Sequence, residues 1–150
     1  MPRGRKLFFG EHYHSLDEKG RVILPAKFRE ALADGLFITK SFDNCLLIYR
    51  KQDWFEMVNK MDALPITRAD VRSYQRFLFG SAVEGEVSRQ GRVSIPQHLR
   101  DYAGLEKDIV IIGVANKLEI WSRERYEKNI ASAEQAAEIA ERIAELAHRP

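Results

Sequence analysis

A chain of 150 residues, 45% hydrophobic and 31% charged, is long enough to bury a core without help from a disulfide or a metal. Its single cysteine excludes an internal disulfide, its basic N-terminus lacks the apolar segment of a signal peptide, and its longest apolar run is only strand-sized. The net charge of +2 is unevenly placed: basic residues exceed acidic ones by three in residues 1–30 and again in 66–100. Positive charge in two clusters suits a protein that binds a polyanion, although charge alone also fits an ordinary solvated surface.

The two basic clusters contain the same sequence pattern. DEKGRVILPAKFRE (17–30) is matched 71 residues later by SRQGRVSIPQHLRD (88–101). Further along, NCLLIY (44–49) is matched by NKLEIW (116–121) at an offset of 72. A tandem duplication explains both matches.

The first copy predicts two strands joined by a tight turn at Lys19-Gly20, where glycine supplies a positive φ. Proline after the second strand suits the first position of a helix. A stripe of apolar residues spaced i, i+3, i+4 and i+7 predicts an amphipathic helix at the end of the copy. In chain order, the predicted elements are strands 12–15 and 21–24, a helix from Pro25 to about Leu32, strands 36–39 and 46–49, and a helix that contains Trp54, Met57, Val58 and Met61.

The second copy predicts the same order of elements, with a turn at Gln90-Gly91. Its elements are strands 83–87 and 92–95, a helix from Pro96 to about Tyr102, strands 109–112 and 118–121, and a closing helix from Tyr126. The segment 70–79, rich in arginine and aromatic residues, predicts a linking helix in which the aromatic rings pack. The predicted organisation is a first repeat over 11–53, linking helices over 54–81, a second repeat over 82–125 and a C-terminal helix over 126–150.

A unit of about 45 residues is too small to bury a satisfactory core alone. Two such units can share one sheet if the first hairpin of each pairs with strands of the other. The sequence therefore predicts a single compact α+β domain with pseudo-twofold symmetry.

The residues of this repeat resemble a known family. FFGEHYHSLDEKGRVILPAKFRE is similar to the opening of the MraZ family of bacterial transcriptional regulators, and SAVEGEVSRQGRVSIPQHLRDYAGLEKDIVIIGVANKLEIWSRERYE is similar to its second half. The resemblance extends from Phe8 to about Lys128. Ahead of it, MPRGRKL forms an extra basic segment.

This resemblance implies an AbrB-like swapped-hairpin β-barrel with flanking helices. It implies a repressor-type regulator that assembles into rings and binds short G-rich direct repeats in double-stranded DNA, upstream of cell-division and cell-wall genes. Such a protein is expected in the cytoplasm, associated with the nucleoid, and without a cofactor, a small-molecule ligand or a membrane.

The DNA-contacting signature of the family is an aspartate four residues before an arginine. The first copy has it, as Asp17 and Arg21, whereas the second has Ser88 where the aspartate is expected, followed by Arg92. The departure leaves open whether the second turn contacts DNA.

The turn chemistry also suits DNA independently of the family. Arg21 can bond to O6 and N7 of guanine from a β-hairpin in the major groove, while Lys19 and Arg89 suit phosphates. Asp17 is expected to hold Arg21 by a charge-assisted bond or to pin the turn. Ser88 can make a turn bond but cannot clamp an arginine electrostatically.

Other residue groups favour simpler interpretations. His12 and His14 alternate on a strand, where surface histidines are more common than ligands, and Glu11 and His98 do not complete a metal site. Cys45 lies in an apolar strand and is expected to be buried. No catalytic motif is present, so no enzyme is predicted.

The alternative function is an oligomeric interaction protein, similar to AbrB-fold antitoxins, whose main partner is a protein. Its partner-binding segment would be the alanine- and glutamate-rich stretch 132–147. The sequence does not decide between repressor and activator, and it does not give the operator bases or the number of subunits in a ring.

Overall fold

The computed structural model describes residues 6–147 and shows a mixed α+β fold. Most of the basic segment Met1 to Leu7 lies outside this range. In chain order, the elements are β1 (Phe8–Ser15), β2 (Arg21–Ile23), α1 (Ala26–Arg29), β3 (Leu36–Lys40), β4 (Leu46–Arg50), α2 (Lys51–Asp62), α3 (Ala69–Gly80), β5 (Val83–Gly85), β6 (Arg92–Ser94), α4 (Gln97–Ala103), β7 (Asp108–Ala115), β8 (Lys117–Ser122), α5 (Arg123–Asn129) and α6 (Ala133–Ala147).

Both sheets contain strands from the two repeats. Six strands form an antiparallel sheet in the order β1-β7-β8-β4-β3-β5, and β2 pairs with β6 in a separate two-stranded ribbon. The first strand of each repeat therefore lies beside a strand of the other repeat: β1 beside β7, and β5 beside β3.

Two other strand pairs, β2 with β6 and β4 with β8, are each centred on two residues that occupy equivalent positions in the two repeats. In the ribbon, Val22 lies opposite Val93, and in the middle of the large sheet Leu47 of β4 lies opposite Glu119 of β8. Both valines are almost completely buried. The ribbon therefore packs its inner face on the shared core and turns its alternate residues outward.

The predicted β-barrel is wrong in one respect, because the large sheet is not closed. β1 and β5 are the two edges of the large sheet and do not pair with each other in the described part of the chain. A physical reason is length: β5 has three residues and β1 has eight, so the two edges have few facing backbone groups with which to close.

The core lies between the sheet, the ribbon and the two short helices that follow the ribbon strands. One contiguous apolar cluster takes side chains from both repeats. Its fully buried larger members include Phe8, Leu24, Leu32, Leu36, Ile38, Leu46, Ile48, Ile95, Leu99, Ile109, Ile111 and Leu118. Because neither repeat supplies this cluster alone, the packing energy depends on both being present.

The helix boundaries differ from the predicted ones by a few residues. Pro25 and Pro96 precede α1 and α4 as N-cap residues rather than first helical residues, with ψ of 136° and 152°. Between the repeats, α2 begins at Lys51, and α3 is the predicted linking helix. In α3, Phe77 stacks on Phe42 while Phe79 contacts Trp54 edge to face, so these rings pack in two different places.

The C-terminal helix predicted over 126–150 is interrupted. α5 ends at Asn129, Ile130 is extended with ψ of 131°, and α6 starts anew at Ala133. Ser132 and Gln135 cause the restart, because the Ser132 hydroxyl accepts the Gln135 N–H at 3.1 Å while the Gln135 side chain accepts the Ser132 N–H at 2.9 Å. This reciprocal pair is a capping box.

Two expectations about single residues have different outcomes. Cys45 is fully buried beside the Ser41 hydroxyl, at 2.9 Å, as predicted, and burial raises the pKa of its thiol to about 12. The histidines are not simple surface residues: His12 and His14 are half-buried, and the His12 ring contacts Phe28 edge to face. Among the helices of residues 6–147, none has both the length and the apolar character that a bilayer crossing requires.

We predict that the two halves, residues 1–80 and 81–150, do not fold separately but do fold when mixed. The reason is that β1, β2, β5 and β6 form their ladders with strands of the other half, and β2 has only the single bridge between Val22 and Leu16 within its own half. Circular dichroism and thermal melts of each half and of the equimolar mixture test this prediction. Cooperative melting of either half alone would contradict it.

Candidate nucleic-acid interface

The outer face of the β2–β6 ribbon carries two arginines. Because Val22 and Val93 point into the core, their neighbours point outward: Arg21 lies opposite Ser94, and Ile23 lies opposite Arg92. This register places Arg21 and Arg92 as diagonal neighbours, about 7–8 Å apart. A two-stranded ribbon of this kind has the dimensions that fit the major groove of B-DNA.

The first turn fixes Arg21 through Asp17. One carboxylate oxygen of Asp17 accepts the backbone N–H groups of Lys19 and Arg21, both at 2.9 Å, and the other accepts Nε of Arg21 at 2.7 Å. Asp17 therefore pins the turn and also holds the guanidinium.

These contacts lower the pKa of Asp17, the backbone N–H of Arg21 contributing most and the Arg21 side chain and Lys19 N–H adding to it. Because its pKa is lowered, the Asp17 carboxylate stays ionised to a more acidic pH than an ordinary aspartate does. The clamp is therefore lost only in acid.

The second turn has the same backbone but lacks the clamp. The Ser88 hydroxyl accepts the Arg92 N–H at 3.0 Å, and the Ser88 carbonyl accepts the Gly91 N–H at 2.9 Å. The Arg92 guanidinium makes no hydrogen bond or ion pair with another residue of the 6–147 range. The serine thus forms the turn bond expected of it, and the two arginines differ in how firmly they are held.

The electrostatic surroundings of the two turns differ as well. Lys19 and Arg89 are exposed at the two tips. An open cleft of about 450 Å³ beside the second turn is lined by both ribbon arginines and also by Glu84 and Glu86 of the neighbouring segment. These two carboxylates weaken the attraction of the second turn for phosphate.

Both turn glycines are buried and take the left-handed backbone conformation. Gly20 has φ of 75° and Gly91 has φ of 78°. An arginine of the other repeat covers each one: a Cβ added to Gly20 would lie 2.5 Å from Cζ of Arg100, and one added to Gly91 would lie 2.4 Å from Nε of Arg29. No L side chain fits at either position without displacing the guanidinium.

The structure brings together the six residues that the sequence singled out: Asp17, Lys19 and Arg21 in one turn, and Ser88, Arg89 and Arg92 in the other. Sequence reasoning missed the contribution of Arg29 and Arg100. The available signal was their matched position in the two copies, but which glycine each one covers depends on the pairing between repeats.

Within residues 6–147, no three His, Cys, Asp or Glu side chains are grouped closely enough to hold a metal ion. His98 contacts the Ser81 carbonyl at 3.1 Å.

Comparison with known proteins identifies the family. A family model described as "MraZ protein, putative antitoxin-like" matches residues 7–77 and again residues 78–147. The chain belongs to the MraZ family. The family model therefore matches the chain twice, and the boundary between the two matches, after Phe77, lies in the last turn of α3.

Relatives with the name transcriptional regulator MraZ cover nearly the whole chain. The protein from Heliobacterium modesticaldum is 49% identical over 138 residues, which is 91% of this chain and 96% of that protein. Those from Desulforamulus reducens and Acetivibrio thermocellus are 47% and 48% identical over 141 residues, 93% of this chain and 99% of each relative.

We predict that Gly20→Ala and Gly91→Ala each lower the free energy of unfolding by about 1–3 kcal/mol, because the new Cβ combines a strained φ with a clash against the covering arginine. Gly80→Ala is the matched control, since nothing lies within 4 Å of its Cβ position at the end of α3. We expect this control to be neutral or more stable by up to about 1 kcal/mol. Urea denaturation of the three variants measures the difference, and equal effects at Gly20 and Gly80 would contradict the prediction.

Proposed function

We propose that this MraZ-family protein is a sequence-specific DNA-binding transcriptional regulator of the repressor type. The observation that carries the proposal is the pair of diagonal arginines on the exposed face of the β2–β6 ribbon, one of them clamped by Asp17. The names of the relatives support it. The proposed site of action is the cytoplasm, on the nucleoid.

The two turns have different roles in this proposal. Arg21 reads guanine through O6 and N7, since Asp17 presents its guanidinium in a fixed orientation, and Lys19 and Arg89 bind phosphates. Arg92 binds DNA less selectively, because Ser88 leaves its guanidinium unclamped.

The proposed fold class is the AbrB-like swapped hairpin, with pseudo-twofold symmetry and both repeats in one compact domain. The cross-repeat pairing of β1 with β7 and of β5 with β3 supports it. The two ladders centred on Val22–Val93 and Leu47–Glu119 give the position of the symmetry axis.

The proposed assembly is a ring of identical chains on short G-rich direct repeats upstream of cell-division and cell-wall genes. α6 supports an assembly, because none of its residues is buried and it exposes Ile139, Ile143 and Leu146 along one side. A 15-residue helix is only marginally stable in water by itself, so contacts with another surface would stabilise it. A ring that engages several repeats at once gains affinity through multivalency.

The second candidate function is an antitoxin-like interaction protein that holds a protein partner on α6. The same exposed apolar side of α6 favours it, together with the description of the family model. The two candidates differ in what occupies α6: another copy of the chain in the first case, a different protein in the second.

Selection of bound sequences from a random DNA pool, followed by a salt titration on the selected duplex, tests the proposed function. A specific complex resists competitor DNA and loses affinity steeply as salt rises. Recovery of a random pool without enrichment would contradict sequence-specific regulation.

We predict that Arg21→Ala lowers the affinity for the selected duplex by about 1–3 kcal/mol per engaged subunit and leaves binding to scrambled DNA nearly unchanged. Arg92→Ala should weaken both duplexes to the same, smaller extent. Arg76→Ala, which removes an exposed arginine from α3, controls for net charge. Binding isotherms at matched salt provide the comparison, and loss of discrimination in Arg92→Ala but not in Arg21→Ala would reverse the assignment.

We predict that removal of residues 131–150 reduces the number of chains in the assembly while the remaining domain stays folded, since no residue of α6 (Ala133–Ala147) is buried in the described part of the chain. Multi-angle light scattering and a thermal melt measure the two properties. An unchanged number of chains would instead leave α6 available for a different protein, as the second candidate requires.

A further inference from the structure

Arg29 and Arg100 occupy equivalent places in the two repeats, each in the short helix that follows a ribbon strand. The Arg29 Nε donates to the Leu24 carbonyl at 2.9 Å, and the Arg100 Nε donates to the Ile95 carbonyl at 2.8 Å. Each arginine is thereby tied to the end of the ribbon strand of its own repeat.

The other contact of each arginine crosses to the opposite repeat. The Arg100 guanidinium lies on Gly20, next to Arg21, and the Arg29 guanidinium lies on Gly91, next to Arg92. Backbone bonds follow the same path, since the Ile95 N–H donates to the Gly20 carbonyl and the Leu24 N–H donates to the Gly91 carbonyl, both at 2.9 Å.

Each turn is therefore held in part by a side chain from the other repeat. A planar guanidinium can lie flat on a glycine backbone in a way that the tetrahedral ammonium of lysine cannot. Neither Arg29 nor Arg100 forms an ion pair with a residue in the described range, so planarity and the Nε bond, rather than charge neutralisation, account for their position.

We propose that Arg29 and Arg100 are positioning residues that act crosswise: Arg100 of the second repeat orients Arg21, and Arg29 of the first repeat orients Arg92. This inference rests on the proposed function only for its DNA readout. The inference also applies to the protein without DNA: each arginine determines how well ordered the turn of the opposite repeat is.

Arg→Lys variants separate this role from a charge effect, because lysine keeps the positive charge and most of the stem but loses the planar group. Arg100→Lys and Arg29→Lys are matched to each other, since the two sites have the same contacts. Arg125→Lys is a further control: the Arg125 guanidinium lies on Gly104 at the end of α4 rather than on a turn glycine of the ribbon, and it bonds to the carbonyls of Asn44 and Tyr102.

The first measurement is backbone hydrogen exchange of the free, full-length protein. Arg100→Lys should speed exchange of the amides of residues 19–21 by roughly threefold or more and leave residues 90–92 unchanged, while Arg29→Lys should do the reverse. Arg125→Lys should alter neither turn. Faster exchange only in the turn of the same repeat, or equal changes in both turns, would overturn the proposal.

The second measurement is discrimination between the selected duplex and scrambled DNA. Arg100→Lys should reduce the ratio of the two affinities by roughly threefold or more while the slope of log affinity against log salt stays at its wild-type value, because no charge is lost. In an Arg21→Ala background the same change should have no further effect on the ratio. An undiminished ratio in Arg100→Lys, or a further loss in the double variant, would contradict the crosswise role.

The two measurements distinguish a failure of the positioning role from a failure of the proposed function. If the wild-type protein does not discriminate between sequences, the proposed function fails, while the exchange experiment still tests the crosswise role. If the wild-type protein discriminates and both variants exchange like wild type, the positioning role fails and the proposed function stands.

Discussion

The pairing of β2 with β6 is the constraint on which the rest of the structure depends. Each ribbon strand has three residues, too few to form a stable sheet alone, and its partner belongs to the other repeat. Burial of Val22 against Val93 fixes which side of the ribbon faces the core. Once that side is fixed, the alternation of a β-strand leaves Arg21 and Arg92 on the outside.

The same constraint explains why two nearly identical turns can have different functions. The backbone of both turns is determined by the ribbon and by the glycine that the opposite arginine covers. The side chain that opens each turn, Asp17 in the first and Ser88 in the second, is therefore free to vary. Asp17 clamps its arginine, whereas Ser88 only supports the backbone. Under the proposed function, a duplicated chain keeps one selective reader and uses the other turn for weaker contacts, which a dimer of identical chains cannot do.

Much of this organisation could be predicted from the sequence, because local chemistry determines it. Glycine at the turns, proline before the short helices and the matched 14-residue segments predicted the elements and the residues of both turns. The barrel expectation failed because the unequal lengths of β1 and β5 do not follow from the repeat. The break after Asn129 was missed because the alanine and isoleucine spacing continues across it, although Ser132 and Gln135 carried the signal of a new helix start. The cover over Gly20 and Gly91 could not be predicted, since it depends on which repeat each arginine reaches.

A structure of the protein bound to its selected DNA duplex tests directly whether the ribbon reads DNA. We predict that the β2–β6 ribbon lies in the major groove, that the Arg21 guanidinium bonds to O6 and N7 of a guanine while it keeps its bond to Asp17, and that Arg100 still covers Gly20. A complex in which the outer face of the ribbon is turned to solvent, with DNA bound to another surface, would contradict it.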